Sequence, residues 1–482
     1  MRLTGSFHTI VTHGVAGRTI SSGVRVGSTS TGLGADTSPC SHTPTLAPVT
    51  RSSTALMTDH YELTMLQAAL ASGTAHRRAV FELFPRRLPE GRRYGVVAGV
   101  GRALDALEDF RFDDDVLGAL DGVVDEPTRA WLAGYRFTGD AWGYPEGEVY
   151  LPHSPLMVVE ASFAEAVLLE TLLLSIYNHD SAIASAASRM TLAARGRPCI
   201  EMGSRRTHEE AAVAAARAAH VAGFAATSNL AARQRYGVPS TGTSAHSFTL
   251  LHDSERDAFR AQVDSLGVGT TLLVDTYDVA EAVRLGVEVA GPRLGAVRLD
   301  SGDLGVLAHR VRAQLDDLGA HDTRIVVTSD LDEYAIASLA SAPVDGYGVG
   351  TQLVTGSGHP TCGFVYKLVA REGASGELEP VAKRSPDKAS VGGRKWALRR
   401  RTPGGVAEAE VVGIGAPPTD DGDDRALLVP LVRDGEVVGR EPLEAARQRH
   451  ERSRAELPEA AQSMTRGEAV IPTLVQDAAA NA

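Results

Sequence analysis

The stretch Ser240-Thr241-Gly242-Thr243-Ser244-Ala245-His246-Ser247 sets one histidine among small, hydrogen-bonding residues. Little there can bury an imidazole against apolar neighbours, so the ring is available to a reactant. Further along, the apolar run Thr271-Leu272-Leu273-Val274 ends on Asp275. Then come Arg298-Leu299-Asp300-Ser301-Gly302-Asp303 and Gly346-Tyr347-Gly348-Val349-Gly350-Thr351. A poised histidine, an acid to orient it, an arginine beside acids and a glycine-rich turn together make a set suited to handling phosphate.

Each piece has its own chemistry. His246 is a general base, a metal ligand or a phosphorylated nucleophile. No HxH or HExxH pattern and no cysteine lies near it, so metal ligation has the least support. Arg298 and Asp300 are two apart on an expected strand and therefore share a face. The arginine suits a carboxylate or phosphate, and the aspartate a ribose hydroxyl or a Mg2+-bound water. The competing reading is a plain ion pair at a strand end. Glycines at 346, 348 and 350 let the backbone approach closely, and successive N–H groups then cradle a phosphate. Arg205 and Arg206, after Glu201-Met202-Gly203-Ser204, suit a polyanion. The chain holds no Gly-Lys dipeptide, hence no Walker A loop.

These residues need strand ends to hold them. From Cys199 onward short apolar runs alternate with helical patterns, over 208–222, 278–287, 303–318 and 331–341. Alternation of that kind predicts a parallel sheet with crossover helices. The runs end at Asp275, Asp300, Ser329 and Thr351, where barrel and doubly wound enzymes keep their chemistry. No GxGxxG follows a strand, which favours a barrel. Upstream, helices are expected over 96–109 and 113–121, another begins near Asp59, and one long helix runs from Ser162 to Arg195. After residue 364 the pattern loosens into β-like runs and a helix over 441–462, and the last twenty residues read as a frayed end.

Composition narrows the classes. With 482 residues, 43% hydrophobic and 22% charged, the chain has the make-up of a globular protein with room for a large core. A net charge of −12 weighs against nucleic acid as partner. No apolar run reaches the ~20 residues of a membrane helix, so no membrane partner is expected. Cys40, Cys199 and Cys362 are scattered and odd in number, which suits a reducing cytosol rather than a disulfide framework. Residues 1–52 are rich in Ser, Thr and Gly, with Asp36 their only acid. They read as a disordered extension, or as the product of an upstream start with the native one nearer Met57. Their arginines resemble a transit peptide only faintly.

With these residues in view, the chain resembles the nicotinate phosphoribosyltransferase family over roughly residues 53–400. The match runs in order through Thr58-Asp59-His60-Tyr61-Glu62-Leu63-Thr64-Met65, Glu201-Met202-Gly203-Ser204-Arg205-Arg206, Gly242-Thr243-Ser244-Ala245-His246-Ser247, Arg298-Leu299-Asp300-Ser301-Gly302-Asp303 and Gly348-Val349-Gly350-Thr351. The resemblance implies an irregular α/β barrel of the type II phosphoribosyltransferase kind, packed on an α/β sandwich-like domain built from both chain ends. The expected division is 53–195 and 366–465 for the mixed domain, 196–365 for the barrel and 466–482 for a tail. It implies a homodimer with active sites completed across the interface. It further implies ATP-coupled transfer from 5-phosphoribosyl 1-pyrophosphate to nicotinate, with ATP and Mg2+ required. His246 would be the phosphorylated histidine, with Asp275 orienting its ring. Tyr61 and Arg298 would hold nicotinate, with Thr243 nearby. Arg205, Asp300, Ser301 and the Gly348, Gly350 and Thr351 loop would hold the phosphoribosyl donor.

Ser228, in Ala226-Thr227-Ser228-Asn229, bears on the choice of acceptor. The nicotinamide-using relatives carry aspartate at the matching place, which would repel a carboxylate, so serine favours nicotinate. The segment Lys383 to Gly393 departs from the family: Asp387 stands for a usual glycine, and Gly392-Gly393 for a usual Pro-Gly pair. A nicotinamide or quinolinate enzyme, an aldolase-type barrel and a non-catalytic binding barrel are the alternatives. Residues 199–363 contain no lysine, which counts against Schiff-base chemistry.

Overall fold

The parallel strands expected from Cys199 onward form a six-stranded sheet in the computed structural model, which describes residues 52–383 and 390–477. The reading of residues 1–52 as an extension lies, but for Ser52, outside the described residues. So does the departure at Asp387.

The strand order is Ala226–Thr227, Cys199–Glu201, Gly346–Val349, Arg324–Ser329, Ala296–Leu299 and Thr271–Leu273, with every pairing parallel. Crossover helices Glu209–Val221, Val279–Ala290, Leu304–Asp317 and Glu333–Ser338 match the four expected stretches. The two outer strands do not pair with each other, so the expected barrel is a curled, open half-barrel. Short helices Leu230–Tyr236, His246–Leu251 and Glu255–Leu266 lie between strands Ala226–Thr227 and Thr271–Leu273. The sequence reading did not mark them. The buried run Gly346–Val349 requires glycine at its centre: a Cβ on Gly348 would lie 2.4 Å from Thr328 Cγ2 and 2.7 Å from Met202 Sδ.

A seven-stranded antiparallel sheet takes strands from both sides of the barrel segment. Arg78–Pro85 sits between Phe364–Glu372 and Met157–Ser162, and Val429–Arg433 pairs with Asp140–Gly143. A four-stranded sheet contains Lys395–Arg401 and Ala407–Ile414. The expected frayed end needs correction: Thr473–Asp477 is a strand, parallel to Ala407–Ile414 in register Val412↔Val475. Five successive backbone pairings hold it, although its outward side chains are polar or exposed and give little hydrophobic signal.

The expected helix from Ser162 to Arg195 is two helices. Ser162 and Glu165 form a capping box on Phe163–Val167, and a second helix spans Glu170–Ala193. At 1.5 Å per residue the second helix is about 36 Å long. Its first half puts Leu172, Leu173 and Ile176 into the core of the antiparallel domain. Its second half puts Ile183, Ala187 and Met190 into the core of the parallel sheet. Small residues let strand Gly95–Val96 approach. Ser185 Oγ accepts from Val96 N (2.9 Å) and Ser181 Oγ from Ala98 N (3.1 Å), which satisfies donors that would otherwise be buried unpaired.

Candidate active site

The carboxyl ends of four parallel strands converge on a polar cavity of about 270 Å³. Arg205 and Arg206 follow one strand; Arg298 and Asp300 come from another. Thr328, Ser329 and Asp330 close a third side, and Gly348, Gly350 and Thr351 a fourth. Five of the sequence-predicted residues thus meet in the cavity wall together with Arg298. Ser329 and Asp330 were legible only as a strand end, and Met202 carried no signal beyond its motif.

Glu201 shapes the arginine side. It is fully buried, and its carboxylate accepts from Gly203 N and Thr227 Oγ1, while its carbonyl accepts from Ser228 N at 2.8 Å. Burial pushes its pKa up, against the lowering effect of those two donors. One buried acid therefore fixes both the Arg205-Arg206 turn and the backbone of Ser228. Ser228 itself is exposed at the end of strand Ala226–Thr227 and is not part of the cavity wall.

On the far side of Arg298 lies His246, the first residue of helix His246–Leu251. Its Nδ1 is 3.2 Å from Thr276 Oγ1, and its Nε2 is 3.9 Å from Asp300 Oδ2. Asp275 is not the residue that meets the ring. Its Oδ2 accepts from Asp300 N (2.8 Å) and Ser301 Oγ (2.7 Å), so the acid expected to orient the imidazole instead pins the Asp300-Ser301 turn. The cause is register: Asp275 lies next to the end of strand Ala296–Leu299, and the neighbouring Thr276 is the residue within reach of His246. Asp275 Oδ1 is buried without a partner among the described residues. Asp300 Oδ1 accepts from Thr328 Oγ1, which aims its other oxygen at His246.

Arg298 links the cavity wall to the segment that carries His246. Nη1 donates to Thr243 Oγ1, and Nε is buried without a partner among the described residues. Burial lowers its pKa, Asp300 and Asp275 oppose that, and Arg205 adds to it. An arginine still remains charged under such conditions. A buried, unsatisfied guanidinium N–H is an open donor for an anionic ligand.

Tyr61 is not brought to this cavity. It sits on helix His60–Ala71, whose start is fixed by an Asp59–Glu62 capping box, and it is 44% exposed. Burial and then Glu170 and Glu62 push its pKa up to about 12. Glu62, fully buried, accepts from Thr171 N (2.9 Å) and Thr171 Oγ1 (2.6 Å) and so ties this helix to the start of the long one. That conserves the placement of Tyr61 on an outer face. Asp420, Asp421 and Asp424 form a three-carboxylate group, but in the loop before Arg425–Ala426 and outside this cavity. No described helix is long and apolar enough to cross a membrane.

The family model for the nicotinate phosphoribosyltransferase (NAPRTase) N-terminal domain matches residues 56–178. A nicotinate phosphoribosyltransferase of Mycobacterium tuberculosis (strain ATCC 25618 / H37Rv) is 58% identical over 427 residues, covering 87% of this chain and 94% of that protein. The nicotinate phosphoribosyltransferase of Bacillus subtilis (strain 168) is 39% identical over 361 residues, covering 72% of this chain and 73% of that protein. The crystal structure of human nicotinic acid phosphoribosyltransferase superposes with a TM-score of 0.75 at 25% identity, over 87% of this chain and 97% of the human chain. Identity of this extent, over most of the length of these enzymes and with the same fold, shows that the chain belongs to the nicotinate phosphoribosyltransferase family.

Proposed function

We propose that the protein joins nicotinate to 5-phosphoribosyl 1-pyrophosphate, giving nicotinate mononucleotide and pyrophosphate in NAD salvage. ATP is turned over to ADP and phosphate through phosphorylation of His246. The observation that carries this reading is Asp300, which faces the phosphate cavity and His246 at once.

The cavity takes the donor. Arg205 and the backbone of the turn from Gly348 through Gly350 to Thr351 hold its phosphates, and Asp300 with Ser301 holds the ribose side. Arg298 holds the nicotinate carboxylate through its Nε, which has no partner among the described residues, with Thr243 fixing the guanidinium. The acceptor's ring nitrogen then needs only to be placed at the anomeric carbon, where the bond to pyrophosphate breaks and the C–N bond forms. Carboxylates set in advance stabilise the cationic ribose as the leaving group departs. Asp300 and Asp330 in the cavity wall are oxygen donors of the kind Mg2+ takes, and the ion, when bound, would neutralise charge on the pyrophosphate.

Phosphorylation of His246 adds roughly two negative charges opposite Asp300. We read that charge as the means by which ATP turnover reshapes the pyrophosphate end. Ser228, with no carboxylate to repel it, favours nicotinate over nicotinamide. Tyr61 reaches the site of a second copy in a homodimer, which is consistent with its exposure on an outer face. Cys199 and Cys362 are free and buried, which suits a reducing cytosol. The mixed domain takes residues 53–195 and 366–465 together with strand Thr473–Asp477, and the barrel domain takes 196–365.

The test is product formation from phosphoribosyl pyrophosphate and Mg2+ with nicotinate, nicotinamide or quinolinate, each with and without ATP. Nicotinate mononucleotide made preferentially, and faster with ATP, is the expected result. Turnover of nicotinamide instead would overturn the role of Ser228, and no turnover would leave a binding-only barrel.

A further inference from the structure

Two walls of the phosphate cavity come from separate loops: Asp330 follows Ser329, the last residue of one strand, and Gly350 and Thr351 follow another strand. Behind the cavity both loops converge on one carboxylate. Glu333, the first residue of helix Glu333–Ser338, is 3% exposed. Its Oε2 accepts from Ser357 Oγ at 2.7 Å. Its Oε1 accepts from Arg92 Nη1 at 2.9 Å and from Arg189 Nε at 3.1 Å. Arg92 Nη2 donates in turn to Gly356 O at 2.9 Å. Gly356 and Ser357 follow directly on helix Thr351–Val354, whose first residue lines the cavity. Arg189 belongs to the long helix Glu170–Ala193.

Two features mark this as more than a packing contact. Ser357 is a non-glycine residue in the left-handed region, at φ 52°, held by its hydroxyl on Glu333 and by its N–H on Gln352 O (2.6 Å). Such conformations persist only where surrounding bonds enforce them, and they gather where ligands are held. Arg92 and Arg189 are both nearly fully buried and share the same oxygen of Glu333, so movement of the Glu333 loop would leave two buried guanidinium groups without their counter-charge, and movement of the Gly356-Ser357 loop would break the hydrogen bonds of Ser357 to Glu333 and of Arg92 to Gly356. The arrangement therefore resists any change in spacing between the two walls.

We infer that Glu333 is a positioning residue for the phosphoribosyl donor: it locks the two phosphate-facing loops to each other through Ser357 and to the long helix through Arg189. The inference rests on the reading of the cavity as the phosphoribosyl pyrophosphate site. Glu333 touches no substrate. It acts through Asp330 and the Gly350-Thr351 turn.

The experiment uses the full chain with Ser357→Ala and Glu333→Gln. It measures kcat, the KM for each substrate, calorimetric binding of inorganic pyrophosphate with Mg2+, and thermal unfolding. Ser357→Ala leaves both ion pairs in place, so it keeps the question open to test should Glu333→Gln fold poorly. The expected result for Ser357→Ala is a rise of about tenfold in KM for phosphoribosyl pyrophosphate and a matching loss of pyrophosphate affinity, since small misplacements near a reacting group are felt strongly. The KM for nicotinate stays unchanged, and Glu333→Gln, where folded, shows a larger effect of the same kind. A wild-type KM for phosphoribosyl pyrophosphate in folded Ser357→Ala would overturn the inference, and so would equal losses against both substrates. If the unsubstituted protein neither transfers phosphoribosyl groups nor binds pyrophosphate, the proposed function falls and the inference falls with it.

Discussion

His246 Nε2 and Asp300 Oδ2 face each other at 3.9 Å, while Thr328 holds the other oxygen of Asp300 and Asp275 holds its backbone N–H. The histidine is therefore aligned from two sides, by Thr276 at Nδ1 and by Asp300 at Nε2. A change of charge at the ring acts on Asp300, which also lines the polar cavity. His246→Asn removes the phosphorylatable ring and keeps a polar side chain of similar reach. ATP stimulation should vanish while slow phosphoribosyl transfer remains. Initial rates with and without ATP, together with labelling from ATP, measure this; full stimulation in the variant would remove His246 from the coupling.

Arg298→Lys tests the acceptor side. Lysine keeps the charge but offers no fork that reaches Thr243 and presents an open Nε–H together. The KM for nicotinate should rise about tenfold or more, with a smaller change for phosphoribosyl pyrophosphate. Equal changes for both substrates would place the arginine on the phosphates instead.

Ser228→Asp introduces a carboxylate at the strand end whose backbone Glu201 fixes. Repulsion of the acid substrate should lower kcat/KM for nicotinate by roughly tenfold, and nicotinamide should gain relative to it. Competition assays with both acceptors report the ratio; an unchanged ratio would take Ser228 out of acceptor choice.

Gly348→Ala and Gly118→Ala should move stability in opposite directions. The Cβ at position 348 meets Thr328 and Met202 well inside van der Waals contact, so the variant should lose about 1–3 kcal/mol and disturb the cavity floor. Gly118 lies in helix Asp114–Ala119 with nothing within 4 Å of an added Cβ. Alanine there should gain about 0.4–1 kcal/mol by restricting the unfolded chain. Denaturant midpoints of the two variants distinguish packing from conformational entropy.

Glu255 should set part of the pH dependence of stability. It opens helix Glu255–Leu266, and burial, then Glu281 and Asp278, push its pKa up from 4.5 to about 7. A folded-state pKa above the unfolded one means the folded protein holds the proton more tightly. That contribution is fully present below pH 4.5 and is lost as pH rises towards 7. Glu255→Gln should flatten the fall in urea midpoint across this window and be the more stable form at pH 8, about one unit above that pKa. Parallel curves for the two proteins would show that Glu255 does not carry the effect.

The alternation of apolar runs and helical patterns after Cys199, with polar residues closing the runs, determined the parallel sheet and the end of it that carries the site. Those are local properties: a strand's burial and a helix's periodicity are written in neighbouring residues. The same is true of Gly348 and of the types of residue at 205, 246, 298 and 300. The tertiary structure alone decided partners. Asp275 bonds the Asp300-Ser301 turn rather than His246 because parallel register, set by crossovers far along the chain, brings those ends together. Strand Thr473–Asp477 exists because a neighbour offers it a ladder, not because its own residues demand one. Glu333 gathers Arg92, Arg189 and Ser357, the first of them 241 residues away along the chain, and Tyr61 lies outside the cavity its motif suggested. Hydrogen-bond partners at such separations leave no periodic trace in a single sequence, so only the folded chain could reveal them.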